Sequence, residues 1–293
     1  MRSLFRSLFK TVLFALLLFT GSITSQVNNW IEVENIIGKT GKISGDVLRI
    51  TFPRTDLDVT VDGNKIDPAM ALTAWVAIDA MENEALLLCN LVLKEEEVDD
   101  VVDAVVKNDL QINAMHNHLI GESPRLIYVS IGGTGTPVEL AQKIKSVIEE
   151  TNIPVESDSI GSASEKVDWS DIQSGFGING DSNGFVLKLT IPRQETITMN
   201  GNELPFALGV ATNLNFQRFG EKIISTGVFV LTADEINPVI KALTESGIKI
   251  TSVNSLLVTE TPHMYFMHYW AYDFPENVLD GLKTALDLTN SNY

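Results

Sequence analysis

"NNWIEVENIIGKTGKISGDVLRITFPR" (28–54) and "VDWSDIQSGFGINGDSNGFVLKLTIPR" (167–193) are two versions of one stretch of sequence, offset by 139 residues. After a single-residue gap in a predicted hairpin, the offset becomes 138 and stays there along the rest of the chain. A constant offset of this length predicts two homologous halves, because it is far longer than a solenoid repeat. The clearest matched pairs are Trp30 and Trp169, Gly63 and Gly201, and Pro137 and Pro275.

Each half has the same predicted order of elements. Strands that follow one another in sequence, with helices in isolated positions, are typical of an α+β fold with mostly antiparallel strands. Each repeat is predicted to close with a β-α-β-β-α tail of the split-βαβ kind. In the first half the predicted elements are a short helix near Trp30, strands at 46–52, 57–61, 72–78 and 85–93, a helix from Val98, strands at 111–118 and 126–131, and a helix from Thr136.

The chain divides at two unusual segments. Residues 1–25 join three basic residues to the apolar run 11–20 and end in small residues, which is typical of a cleaved export signal. The apolar run is short for a bilayer span, and an uncleaved membrane anchor is the alternative. We predict a signal peptide at 1–25, repeat 1 at 26–155, a Ser/Gly-rich linker at 156–166 and repeat 2 at 167–293. The mature protein would be periplasmic or extracellular, with no stable membrane span.

The composition limits the partners. The formal net charge is −17, with 38 acidic against 21 basic residues, so the protein repels phosphate backbones and nucleic acid is excluded as a partner. A small molecule or a metal ion is the expected ligand, and the oligomeric state is left open. Cys89 is the only cysteine, so no intrachain disulfide can form. Cys89 lies in an apolar strand and is predicted to be an inert buried thiol.

A His-x-His pair is the main candidate for chemistry. His116 and His118 are predicted on one strand, where residues two apart face the same side. Zinc takes three or four ligands, so a further ligand is needed. Glu122 can offer an oxygen or act as an acid/base, and it is the candidate catalytic residue. Position 130 on the next strand faces the pair, but it is Ser130. The alternative is a polar strand end whose histidines bond to the backbone or to carboxylates.

The second half carries the complementary residue. At the positions of His116 and His118 it has Asn254 and Leu256, whereas Ser130 is replaced by His268. A three-histidine site for a divalent transition metal such as zinc would therefore need His268 to approach His116 and His118 from the other half.

Two arginines follow prolines at matching strand ends. Arg54, with Asp56 beyond it, and Arg193 are candidates for binding an anionic ligand. A structural ion pair at the strand end is the more ordinary interpretation of both. The sequence contains no Walker A motif and no nucleophile elbow.

Five stretches resemble the LppY/LpqO family, exported proteins built around a duplicated domain of unknown function. The resemblance covers nearly all of the mature chain. It implies an H-N-H segment in both halves and a further histidine on the following strand. Residues His116, His118, Arg125 and His268 match that pattern, and Ser130, Asn254 and Leu256 depart from it. The stretches are "FPRTDLDVTVDGNKIDPAMALTAW", "LVLKEEEVDDVV", "MHNHLIGESPRLIYVSIGG", "TGVFVLTADEINPVIKAL" and "TPHMYFMHYWA".

Three functions fit the sequence. The first is an exported protein that binds a small ligand or a divalent metal through the His116/His118 segment, with Arg54, Asp56 and Arg125 as ligand-binding candidates. The second is a metal-dependent enzyme that acts on a small carboxylated substrate, with Glu122 as acid/base. The third is a structural or interaction protein of the cell envelope.

Overall fold

Each repeat folds into a six-stranded antiparallel sheet with its longer helices on one face. The structure is a computed structural model that describes residues 30–81, 84–156 and 167–293. The predicted signal peptide and nearly all of the predicted linker lie outside these ranges. Within them, no helix is long and apolar enough to span a membrane.

The described residues of repeat 1 form nine strands. Six of them form the large sheet in the order β1-β2-β5-β6-β9-β7, and the other three form a small sheet in the order β4-β3-β8. The strands are Lys42–Ser44 (β1), Val47–Pro53 (β2), Thr60–Val61 (β3), Asn64–Lys65 (β4), Thr73–Ala80 (β5), Ala85–Lys94 (β6), Gln111–His116 (β7), Glu122–Ser123 (β8) and Leu126–Gly135 (β9). The helices are Trp30–Ile37 (α1), Pro68–Ala71 (α2), Val98–Lys107 (α3) and Pro137–Ile148 (α4), and a 3₁₀ turn covers Glu95–Glu97.

Repeat 2 repeats this topology. Its large sheet has the order β10-β11-β14-β15-β18-β16, and its small sheet has the order β13-β12-β17. The strands are Asp181–Asn183 (β10), Val186–Ile191 (β11), Thr198–Met199 (β12), Asn202–Glu203 (β13), Thr212–Phe219 (β14), Lys222–Leu231 (β15), Lys249–Asn254 (β16), Glu260–Thr261 (β17) and Tyr265–Asp273 (β18). The helices are Ser170–Phe176 (α5), Ala233–Glu245 (α6) and Pro275–Leu286 (α7), and a 3₁₀ turn covers Phe206–Leu208.

The predicted fold class is confirmed, including two homologous repeats and the β-α-β-β-α tail. Helix α4 begins where the sequence places it, because Thr136 and Glu139 form a capping box and Pro137 occupies the first turn. Several strand boundaries differ from the predicted ones, most of them by one or two residues. The strand predicted at 57–61 is reduced to β3, the strand predicted at 111–118 ends at His116, and β9 continues to Gly135.

The glycines explain why β9 is longer than predicted. A Cβ at Gly133 would lie 2.7 Å from Leu110 Cδ2, so glycine here leaves room for a leucine that packs against the strand. A glycine pair after an apolar run is typical of a turn, but in this strand the two glycines allow a close approach.

Three apolar cores hold the molecule together. Each large sheet is covered on one face by its own helices. The opposite faces of the two sheets turn toward each other, and a third core between them joins Val47, Leu86 and Leu88 of repeat 1 to Val230 and Phe266 of repeat 2. The burial of this shared core is the main attraction between the repeats.

Equivalent segments of the two repeats cross this interface in opposite directions. Met70 in α2 accepts a hydrogen bond from Asn215 Nδ2 at 2.9 Å, and Arg49 donates to the Ala207 carbonyl at 2.8 Å. Residues 69–72 and 207–210 are repeat counterparts. The two repeats are therefore related by a pseudo-two-fold axis.

Candidate metal centre

Three histidines from the two repeats meet at the interface. His116 is the last residue of β7, His118 lies two residues later in the loop, and His268 lies within β18. One ring nitrogen of each lies within 4.8 Å of the corresponding nitrogen of the other two. Within the described ranges, this is the group of His, Cys, Asp and Glu side chains arranged to hold a metal ion.

The rings are close enough for their nitrogens to share one ligand. His116 Nε2 and His118 Nε2 are 3.0 Å apart. The ring centroids of His118 and His268 are 3.8 Å apart in a stacked arrangement, and those of His116 and His268 are 5.7 Å apart. The strand prediction for His118 was wrong, but both imidazoles still reach one point because the chain turns after His116.

Burial keeps these imidazoles neutral. Burial lowers the pKa of His116 to about 4. The pKa of His118 is well below its usual value because of burial and then the neighbouring imidazoles, and that of His268 because of burial and then His116. At neutral pH the three rings are therefore in the deprotonated form that a metal ion requires.

Neighbouring groups hold the histidines in place. The ring of Tyr128 on β9 stacks on His118 with 3.5 Å between centroids, and its hydroxyl donates to the Ala71 carbonyl at 3.1 Å. Thr251 of repeat 2 donates to the carbonyl of His118 at 2.6 Å. Sequence reasoning missed Tyr128, although it lies two residues before Ser130 on one strand and so faces the same side.

The hydrogen bonding of His268 fixes which nitrogen is free. The ring bonds to the backbone of Gly227, whereas Nε2 is buried and has no hydrogen-bond partner among the described residues. A histidine whose other nitrogen donates to a carbonyl is arranged as metal-binding histidines usually are. His116 Nδ1 is also buried without a partner in the described part of the chain, but the nitrogen of this ring that meets His118 is Nε2. The buried Nε2 of His268 costs free energy unless a ligand satisfies it.

We expect the metal-free protein to lose stability between about pH 7 and pH 4.5. His116 is neutral in the folded state until the pH approaches about 4, whereas in the unfolded chain it takes up a proton near its ordinary value of 6.5. The unfolded state therefore binds more protons over this interval, and the unfolding free energy falls by about 2–3 kcal/mol through His116. Urea unfolding at the two pH values measures the loss.

His116→Gln should remove that part of the pH dependence. His263→Gln is the matched control, because His263 lies outside the centre and is about half exposed. An equal pH dependence in His116→Gln and the unaltered protein would contradict the assignment.

The duplicated chain matches a known family over both repeats. The model of the family described as Domain of Unknown Function (DUF1259) matches residues 31–150 and again residues 170–288. The chain belongs to this family. Each DUF1259 copy corresponds to one large sheet and its helices, and the three histidines meet between the copies. The predicted duplicated domain of unknown function is confirmed at this level.

Other comparisons add no function. No curated protein matches the chain significantly. Three solved shell proteins of bacterial microcompartments align at TM-scores too low to indicate a shared fold. They are the trimeric protein PduB (TM-score 0.21, 11% identity, 85% of this chain and 89% of that one), EtuB from Clostridium kluyveri (0.20, 10%, 85% and 89%) and the double-ringed trimeric MSM0271 (0.20, 10%, 72% and 83%).

Arg54 lies in a closed ion-pair network that does not include the histidines. Its side chain is fully buried, and its guanidinium bonds to both oxygens of Asp56, both oxygens of Glu97 and the Val92 carbonyl. These contacts use all five donors of an arginine. In the second DUF1259 copy, Arg193 makes the same bonds to Glu195, Glu235 and the Val230 carbonyl. The geometry favours the structural interpretation of Arg54 and Asp56, since no donor remains for an anion.

The acid/base candidate Glu122 is the first residue of β8 and is not part of the histidine group. Glu122 accepts a hydrogen bond from the Leu126 amide at 3.3 Å, and its counterpart Glu260 accepts from the Met264 amide at 2.8 Å. Arg125 is exposed, and its counterpart His263 pairs with Glu260 at 2.9 Å. The shared arrangement indicates a role in shaping the loop for Glu122.

The single cysteine takes no part in the centre. Cys89 is buried, and burial raises the pKa of its thiol well above the usual value. It is therefore an inert thiol at neutral pH.

Proposed function

We propose that this DUF1259 protein binds one divalent transition-metal ion, such as zinc, between its two repeats. His116, His118 and His268 are the ligands. The observation that carries the proposal is the meeting of three neutral imidazoles within 4.8 Å, one of which, His268, has a buried Nε2 without a partner among the described residues.

The ligand types indicate the class of metal. The group contains imidazoles and neither a carboxylate nor a thiolate in the described ranges. Imidazole suits zinc, copper and nickel, whereas calcium and magnesium require oxygen ligands. The protein's negative charge attracts cations to its surface, but the imidazoles decide which cation is retained.

Three ligands leave one coordination position open. An open position on zinc is typical of sites that bind a water molecule or a substrate, and zinc lowers the pKa of such a water to about 7. This supports a metal-dependent enzyme as the second candidate function. In both functions the residues of this chain bind and orient the ion, and Tyr128 and Gly227 hold the rings.

The cellular setting belongs to the same proposal. The predicted export signal and the resemblance to the LppY/LpqO family support a protein that works in the periplasm or outside the cell. An envelope protein in which the histidines are purely structural is the remaining alternative, and metal binding separates it from the others.

Zinc titration of the metal-free protein tests the proposal. We expect one equivalent to bind, and His118→Ala and His268→Ala to weaken binding by a factor on the order of 100 or more, because each removes one of three ligands. Isothermal titration calorimetry with elemental analysis of the loaded protein measures both quantities.

The control is again His263, the histidine outside the centre. His263→Ala should bind zinc as the unaltered protein does. Full zinc binding in His268→Ala would place the site elsewhere, and the absence of zinc, copper and nickel binding in the unaltered protein would leave the histidines with a structural role.

A further inference from the structure

A small cavity lies between the repeats, with about 20 Å³ open to a water molecule. Ser130 of β9, Phe266 of β18 and the loop residue Leu256 are among the residues that line it. At the constant offset of 138 residues, their counterparts are His268, Tyr128 and His118. The cavity is therefore lined by the repeat counterparts of two of the three ligand histidines and of Tyr128.

The correspondence extends to the groups that support the centre. The cavity is also lined by Asn113, Cys89 and Gly209. Their counterparts are Thr251, Gly227 and Ala71. These are the residues that contact the centre: Thr251 donates to the His118 carbonyl, the Gly227 backbone bonds to His268, and the Ala71 carbonyl accepts from Tyr128. The pseudo-two-fold axis that relates the repeats thus carries the metal centre onto this cavity.

The backbone at the two positions also agrees. In the ladder between β7 and β9, His116 pairs with Tyr128, and in the ladder between β16 and β18, Asn254 pairs with Phe266. Asn254 is the counterpart of His116, and its Oδ1 is buried without a partner in the described part of the chain. The strand pairing that places His116 at the metal centre therefore places Asn254 at the equivalent position in repeat 2.

We infer that the duplicated fold provides two positions for a metal ion, and that this chain lacks only the ligand side chains at the second position. Replacing Ser130, Asn254 and Leu256 with histidine supplies the missing imidazoles on a backbone that already has the required register. The choice of metal rests on the proposed function, whereas the position rests on the repeat geometry alone.

The test compares metal stoichiometry in three proteins. The unaltered chain should bind one zinc, and the triple variant Ser130→His/Asn254→His/Leu256→His should bind two. Adding His268→Ala to the triple variant should leave one. The inference is wrong if the triple variant has a cooperative melting transition but binds no more zinc than the unaltered chain.

A second variant covers the case in which three added imidazoles crowd the cavity. It exchanges the two sets by combining the triple substitution with His116→Asn, His118→Leu and His268→Ser, so the side-chain composition is unchanged. We expect one zinc per chain in this exchanged protein. If both variants fail to fold, the inference fails as well, because a backbone that accommodates three histidines at the metal centre should also accommodate them at the equivalent position.

The outcomes also distinguish this inference from the proposed function. If the unaltered chain binds no zinc but the triple variant binds one, the proposed function fails and the second position stands. If the unaltered chain binds one and the triple variant also binds one, the proposed function stands and the second position does not.

Discussion

Arg54→Ala is expected to lower the free energy of unfolding by about 3–5 kcal/mol, the usual cost of removing one partner from a buried ion pair. The side chain of Arg54 is fully buried and that of Glu97 is 3% exposed. Without the guanidinium, Glu97 stays in the interior with no cation beside it, and the Val92 carbonyl loses its donor. Urea denaturation at neutral pH measures the loss.

Arg218→Ala is the control for this experiment. Arg218 pairs with Asp171 at 2.6 Å, but both side chains are substantially exposed, and exposed pairs contribute about 0–1 kcal/mol. Arg193→Ala should be as damaging as Arg54→Ala, since the second network has the same bonds. If Arg54→Ala keeps its stability and loses an anionic ligand, the residue binds that ligand and the structural interpretation is wrong.

The sequence predicted the architecture because the repeat is visible in it. One offset relates the helix after Trp30 to the helix after Trp169 and fixes the order of the strands that follow. The ends of strands were less predictable where a residue is buried but is not paired in a strand. Val59 is fully buried, so its apolar character suggested a strand, but it packs into the core from a loop before β3.

The site could be predicted only as separate residues. His116 and His118 are adjacent in the sequence, whereas His268 belongs to the other repeat and follows 150 residues after His118. Its position depends on which faces of the two sheets pack together. That choice is set by the shared apolar core, to which residues from both repeats contribute, and the pattern within one repeat does not reveal it.

Some of the residues around the centre left no signal in the sequence. Gly227 holds His268 through its backbone, and a Cβ there would lie 2.0 Å from the Asn213 carbonyl oxygen. Glycine is thus required by the close approach of β14. Side-chain chemistry identifies ligands, but contacts through the backbone become visible only in the folded chain.

Zinc is expected to stabilise the whole protein, since the ligands come from both repeats and the chain has no disulfide to join them. A ligand that binds only the folded state raises the unfolding free energy by RT ln(1 + [L]/Kd), which is about 4 kcal/mol at a free concentration near 1,000 times Kd. Urea unfolding with and without zinc at fixed pH measures the increase. The transition should move as a single unit, because the proposed site would join His116 and His118 of repeat 1 to His268 of repeat 2.

His268→Ala gives the sharpest comparison for this effect. It keeps the local His116/His118 pair, which folded and unfolded chains can both offer to zinc, so most of the stabilisation should disappear. His118→Ala should lose it as well, and His263→Ala should keep all of it. An undiminished zinc effect in His268→Ala would mean that repeat 1 binds the ion alone, and the bridge between the repeats would then have to be abandoned.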